Sequence, residues 1–241
     1  MQRFFTKPEN ISGDKIKIND ITQIHHLKDV LRIKSGQCVT VCDGLGKEYY
    51  AQVGEFSAQK VILQIKESKQ SPISHIAITV ACAIPKNAKF DDIIDKLTQL
   101  GVDRIVPLIT ERVIVKLDKS KKAARQLRWQ KIAQSASEQS QRPFLPIVEP
   151  VQTLPEVLQK AFDLKLIPTL GVERKSLQEA LDAAKPKSIL VLIGPEGDFT
   201  DAELALAMRA GCIPVTLGDT VLRVDTAAIA VVSFIKLYEN R

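Results

Sequence analysis

Apolar positions follow two different rhythms along this chain, and the change comes near residue 70. Before it they mostly alternate with polar ones, in Lys15-Ile16-Lys17-Ile18 and again at residues 37–42, 48–53 and 60–65. A period of two sets one face of a strand on a core and the other in water, so these segments predict short β-strands. Asp43-Gly44-Leu45-Gly46 ends the second of them with turn residues. One helix interrupts, at residues 21–31, with Asp20 as its cap and Gln23 as the box partner. Short strands around one helix predict a small barrel. Residues 67–72 are polar and end in Pro72, which predicts a linker.

From Ile73 onward the rhythm becomes strand, helix, strand, helix. Residues 76–83 are a continuous run, apolar but for Thr79, as in a strand covered on both faces. Helices are predicted at 90–100 (ended by Gly101), 120–139, 156–162, 177–184, 201–210 and 226–238. Strands are predicted at 104–109, 164–169, 189–193 and 213–217. This alternation predicts an α/β domain, a parallel sheet with helices on both faces. Residues 227–237 are apolar nearly all round, as a helix is when buried in a core or against another subunit. The predicted domains are residues 1–70 and 73–241.

Charge adds a partner to this picture. The net charge of +6 favours a polyanion, and its distribution is uneven. Arg112, Lys116, Lys119, Lys121, Lys122, Arg125, Arg128, Lys131 and Arg142 crowd one segment. Either a nucleic-acid face or a solvated helix face would look like this. The four cysteines, Cys38, Cys42, Cys82 and Cys212, have no second pair at zinc spacing, so buried reduced thiols are expected and no metal. No apolar run approaches the length of a membrane span, and residues 1–8 lack the apolar core of a signal peptide. The expected location is cytoplasmic.

Two glycine loops carry the candidate chemistry. Ile193 runs into Gly194-Pro195-Glu196-Gly197-Asp198, and Thr200-Asp201-Ala202-Glu203 then reads as a capping box. Leu217-Gly218 ends another strand, and Leu222-Arg223-Val224-Asp225-Thr226-Ala227 opens the last helix, with Asp225 or Thr226 as its cap. Loops at the C-terminal ends of parallel strands are where α/β folds hold small ligands. The dinucleotide fingerprint and the P-loop Lys-Ser/Thr pair are both absent. All three histidines, His25, His26 and His75, precede the α/β part, which argues against Ser-His or Cys-His catalysis there. The loops offer arginine, carboxylate, hydroxyl and backbone amide, a set suited to positioning and charge stabilisation. Arg223 is the only cation in the two loops.

These residues resemble the signature of the RsmE family, bacterial methyltransferases of the SPOUT superfamily that act on uracil N3 in small-subunit ribosomal RNA. The likeness rests on Gly194-Pro195-Glu196-Gly197, Leu217-Gly218 and residues 222–227. It extends to residues 26–32 and 43–46, to residues 100–107 with Glu111-Arg112, and to residues 129–133 with Glu138, Gln139 and Arg142. Three places depart from the family pattern: Asp198 stands for a second glycine, Val224-Asp225 for Thr-Glu, and Gln99 for Glu.

The resemblance implies a trefoil-knotted catalytic domain behind a PUA-like barrel, and a homodimer. It implies S-adenosyl-L-methionine as cofactor, held by Leu170, Gly171, Ile193, Gly194, Pro195, Glu196, Gly197, Leu217, Gly218, Val221, Leu222, Thr226 and Ala227. Arg223 and Asp225 become the catalytic candidates, and Arg3, Arg32, Arg112, Lys121, Arg125, Arg128 and Arg142 the candidates for 16S ribosomal RNA. The rival expectations are a SPOUT methyltransferase with another target and a non-catalytic RNA-binding assembly factor.

Overall fold

The computed structural model describes residues 2–72, 76–85, 89–112 and 119–239. Ile73, His75 and Lys116, which the sequence reading used, lie outside them. The chain divides into two compact units, Met1–Ile73 with Ser137–Leu145, and Ser74–Ala136 with Pro146–Arg241.

The first unit holds β1 (Arg3–Phe5), β2 (Ile11–Ser12), β3 (Lys15–Ile18), α1 (Ile21–His25), β4 (Cys38–Cys42), β5 (Lys47–Phe56) and β6 (Val61–Gln70). They form one sheet in the order β1-β4-β5-β6-β3-β2. The alternation works as read: Ile16, Ile18, Val39, Val41, Ala51, Val53, Val61 and Leu63 all point into one core, where Phe4, Ile24 and Leu27 join them. Removing a large side chain of this kind from water stabilises by about 1.5–3 kcal/mol.

Two details of this unit differ from the sequence reading. Residues 67–70 are not a linker but the end of β6, and Lys47, Glu48, Tyr49 and Tyr50 pair with them. Exposed on both faces, they carry no alternation to reveal the strand. Asp20 does cap α1, accepting from Gln23 N at 2.8 Å. The reciprocal half of the box is missing, because the Gln23 amide donates to Phe5 O instead. Beyond His25 the helix continues to Val30 with one wider π turn. The return segment also belongs here. Leu145 N donates to Gly44 O at 3.0 Å, and the Phe144 ring fills the place beside Gly46 where a Cβ would stand 2.4 Å from it.

The second unit holds β7 (Ala77–Ala83), α2 (Lys89–Gln99), β8 (Arg104–Ile109), α3 (Lys119–Gln139), β9 (Ile147–Val148), β10 (Gln152–Thr153), α4 (Leu154–Leu158), β11 (Leu164–Pro168), β12 (Lys175–Ser176), α5 (Leu177–Ala184), β13 (Ser188–Ile193), α6 (Asp201–Arg209), β14 (Cys212–Thr216) and α7 (Val224–Glu239). Helix α4 is shorter and earlier than expected. Thr153 caps it, with Glu156 reaching back to Thr153 N at 2.7 Å. The strands lie in the order β10-β8-β7-β13-β11-β14-β12, with β9 beside β8. Every pairing among them is parallel.

Successive residues of the central strands point to opposite faces. Ile78, Val80, Cys82, Ile189, Val191 and Ile193 pack with residues of α2, α5 and α7, and with Trp129 of α3. Ala81, Leu190 and Leu192 pack on the other face with Leu154, Val157, Leu204 and Ala207 of α4 and α6. Both faces are thus covered, which is why residues 76–83 show no polar alternation. Trp129 fixes α3 on α2: its ring meets Phe90 edge to face at 4.7 Å, and its Nε1 donates to Asp91 at 3.1 Å. Among the described residues no helix is long and apolar enough to cross a membrane.

Candidate functional site

Strands β11, β13 and β14 are neighbours, and each ends at the same edge of the sheet. The loops that leave them must therefore meet. They enclose a cleft of about 630 Å³, its open mouth included. Leu170 contributes from the loop after β11. Ile193, Gly194, Pro195 and Glu196 contribute from the loop after β13. Leu217, Gly218, Val221, Leu222 and Ala227 contribute from the stretch that follows β14. All ten were singled out from the sequence. Pro168, Thr169, Asp198, Thr220 and Val224 line the cleft as well. The position of Thr169 at the end of a predicted strand was the signal for it. Gly171, Gly197, Arg223, Asp225 and Thr226 are not part of the lining, although each adjoins a residue that is.

The loop after β13 is held from several sides. Asp198 N donates to Pro195 O at 2.9 Å, closing a turn. Asp198 itself has a φ of +59°, in the left-handed region. Glycine enters that region freely, and Asp and Asn are the side chains that tolerate it best. Its carboxylate accepts from Phe199 N at 2.8 Å and from the Thr169 hydroxyl at 3.1 Å. Gly194 is needed for room, since a Cβ there would stand 3.1 Å from both Asp198 Oδ1 and the Phe199 ring.

The capping box read from the sequence then fixes the start of α6. The Thr200 hydroxyl accepts from Glu203 N at 3.2 Å, and Glu203 Oε2 accepts from Thr200 N at 2.9 Å. Glu203 is buried, and its other oxygen accepts from Glu111 N at 2.9 Å. The next residue, Arg112, donates its guanidinium to Gly197 O and lies 3.5 Å from Phe199 O. The family resemblance makes this arginine an RNA candidate; the structure sets it against the cleft loop.

The stretch after β14 is different. Gly218, at φ +112°, turns the chain, and its N–H donates to the Thr216 hydroxyl at 3.1 Å. Beyond it, among the described residues, the side chains of Asp219, Thr220 and Arg223 have no hydrogen-bond or ion-pair partner, and Val221 is 78% exposed. Arg223 is exposed too. Helix α7 begins at Val224, so Asp225 and Thr226 lie within its first turn and neither is the cap expected from the sequence. Asp225 there meets the positive end of the helix dipole. Burial first, and then the Asp225 and Glu196 carboxylates, push the Cys82 thiol up. Cys82 pairs with Ile193 at the foot of the cleft loop. Burial also raises the Cys42 and Cys212 thiols to about 11, so none of these three is an activated nucleophile.

The remaining basic candidates fall into both units. In the second, Arg125 is exposed on α3 and Arg128 pairs with Asp91. Lys121 is exposed on the same helix. In the first, Arg32 is exposed at a φ of +50°, and Arg142 follows the end of α3. Arg3 is tied to Glu48 at 2.7 Å with both side chains largely buried, which suits a structural pair better than a phosphate contact. Among the described residues no cluster of His, Cys, Asp and Glu is placed to hold a metal ion.

Residues 72–236 match a family described as an RNA methyltransferase domain, and residues 18–66 one described as an RNA methyltransferase PUA domain. A ribosomal RNA small subunit methyltransferase E from Synechocystis is 33% identical, over 93% of this chain and 74% of its own length. The protein of that name from Bacillus subtilis is 30% identical, over 98% of this chain and 96% of its own. A methyltransferase of Legionella pneumophila, solved with bound S-adenosylmethionine, superposes with a TM-score of 0.88 at 31% identity, over 98% of this chain and 97% of its own. A ribosomal RNA small subunit methyltransferase E of Neisseria gonorrhoeae, also solved with S-adenosylmethionine, has a TM-score of 0.86 at 31% identity, over 99% of this chain and 98% of its own.

Proposed function

This chain belongs to the ribosomal RNA small subunit methyltransferase E family, and from that premise we propose that it methylates N3 of a uridine in 16S ribosomal RNA, using S-adenosylmethionine. The observation that carries the reading is the cleft, where three strand-end loops converge and the one arginine of those loops that line it after β13 and β14 stands unpaired beside it. The cleft suits the cofactor. Its lining is mainly apolar, it has room made by Gly194, and its charged members, Glu196 and Asp198, are both acidic, as a cationic ligand requires. When bound, the cofactor supplies an electrophilic methyl group.

The protein's task is then alignment and charge. The uracil N3 proton must leave, and negative charge spreads onto the ring oxygens. Arg223 has a guanidinium free to meet that charge. Asp225, in the first turn of α7, is the carboxylate of the two named residues and so the candidate proton acceptor. The braced loop after β13 holds its wall of the cleft in place, so that wall needs little ordering for the reacting state. The same reading includes a trefoil knot formed where the β13 and β14 loops meet, and a homodimer that covers the half-exposed apolar positions of α7. It also includes RNA phosphates on Lys121, Arg125, Arg128 and Arg142, within the small subunit and in the cytoplasm.

The test is methyl transfer from labelled cofactor to small ribosomal subunits that lack the modification. Wild-type protein should label one uridine. Arg223→Ala should still bind the cofactor but lose about 100-fold in turnover. Equal turnover in the variant would overturn the role of Arg223. No labelling by the wild type would overturn the function itself.

A further inference from the structure

Asp198 gives the cleft a property that the backbone at this position does not require. The residue stands at a backbone position, φ +59°, that glycine would occupy without strain. In its place stands a carboxylate whose two oxygens are each fixed, one by Phe199 N at 2.8 Å and one by the Thr169 hydroxyl at 3.1 Å. Asp198 and Thr169 both line the cleft, which has no Lys, Arg or His in its lining. A charge fixed in a half-enclosed, mostly apolar cleft acts on anything bound there more strongly than a mobile surface charge does.

We propose that Asp198 is a specificity-determining residue: a fixed negative charge in the cleft wall that makes the site favour the sulfonium form of the cofactor over the neutral thioether left after transfer. This rests on the reading of the cleft as the S-adenosylmethionine site. The charge balance is simple. The S–CH3 bond breaks and its electron pair stays on sulfur, which passes from a cation to a neutral thioether. The methyl group joins uracil N3, whose proton leaves to solvent. The two cofactor forms differ only by the methyl group and its charge, so the change in their affinity ratio when Asp198 loses its charge isolates the sulfonium term. A wall that holds the charged form and not the neutral one promotes release of the product form after each turnover.

Calorimetry with the intact protein tests this by titrating S-adenosylmethionine and S-adenosylhomocysteine separately into three proteins. Wild type should prefer the sulfonium form. Asp198→Asn keeps a side chain that tolerates the left-handed backbone and can still accept from Phe199 N. It should lower the preference by about five-fold, through weaker binding of the sulfonium form alone. Asp198→Gly keeps the backbone and removes both charge and brace, so it should lose the same preference and weaken both ligands. An unchanged preference in Asp198→Asn overturns the proposal, as does an equal loss for both ligands in that variant. If the wild type binds neither ligand, the cofactor reading itself fails, and that outcome is distinct from the other two.

Discussion

The two loops that face each other across the cleft are built on opposite plans. After β13, the wall from Gly194 to Glu203 is tied to the turn after β8 through Glu111 and Arg112, to the end of β11 through Thr169, and to α6 through its own capping box. After β14, the stretch from Asp219 to Arg223 has no side-chain tie among the described residues. A pocket can lower the entropic penalty of binding by fixing one wall in advance. The bare wall carries the cation and the exposed apolar Val221, groups that gain partners only when something arrives. One side is shaped before binding and the other is completed by it.

Three substitutions would sharpen or break this contrast. The largest effect is expected at Glu203, buried at the junction of the ties. Glu203→Ala removes the acceptor for Thr200 N and for Glu111 N, and should lower unfolding free energy by about 3 kcal/mol in urea titrations. A change below about 1 kcal/mol would mean the wall does not depend on this residue. Next comes Thr169→Val, which keeps the shape and removes the hydroxyl donated to Asp198. A loss of about 1 kcal/mol is expected, with weaker cofactor binding by calorimetry. The smallest effect belongs to the bare wall. Val221→Ser should leave stability within about 0.5 kcal/mol, since the residue packs on little. A drop as large as that of Glu203→Ala would show that the two walls are equally structural.

Legibility from sequence followed the same division between local and distant causes. The capping box Thr200–Glu203 and the buried strand expected at residues 76–83 are local patterns; the box forms, and the strand forms over Ala77–Ala83. The ten cleft residues, named as cofactor contacts by the family resemblance and for the most part lying in the two glycine loops, come together because parallel strands deliver their loops to one edge. What the sequence hid depends on partners far along the chain. Arg112 reaches Gly197 and Glu203 reaches Glu111, and no periodicity announces either bond. Asp198 read as a departure from a glycine, and only its φ and its bond to Thr169 show how a side chain is accommodated there. The helix cap expected at Asp225 or Thr226 fails for a local cause: α7 starts two residues sooner, at Val224.

The return of residues 137–145 to the first unit has a consequence for the order of synthesis. Phe144 fills the space over Gly46, and Leu145 bonds Gly44, so the sheet of that unit waits for a piece encoded well after its last strand. On the ribosome, where chains emerge N-terminus first, this unit stays unfinished until much of the α/β unit's first half has been translated. A gene fragment that stops at residue 73 would therefore yield a sheet with an uncovered patch around Gly44 and Gly46. Isolating it as a working module calls for a graft of the 137–145 segment rather than a simple stop codon.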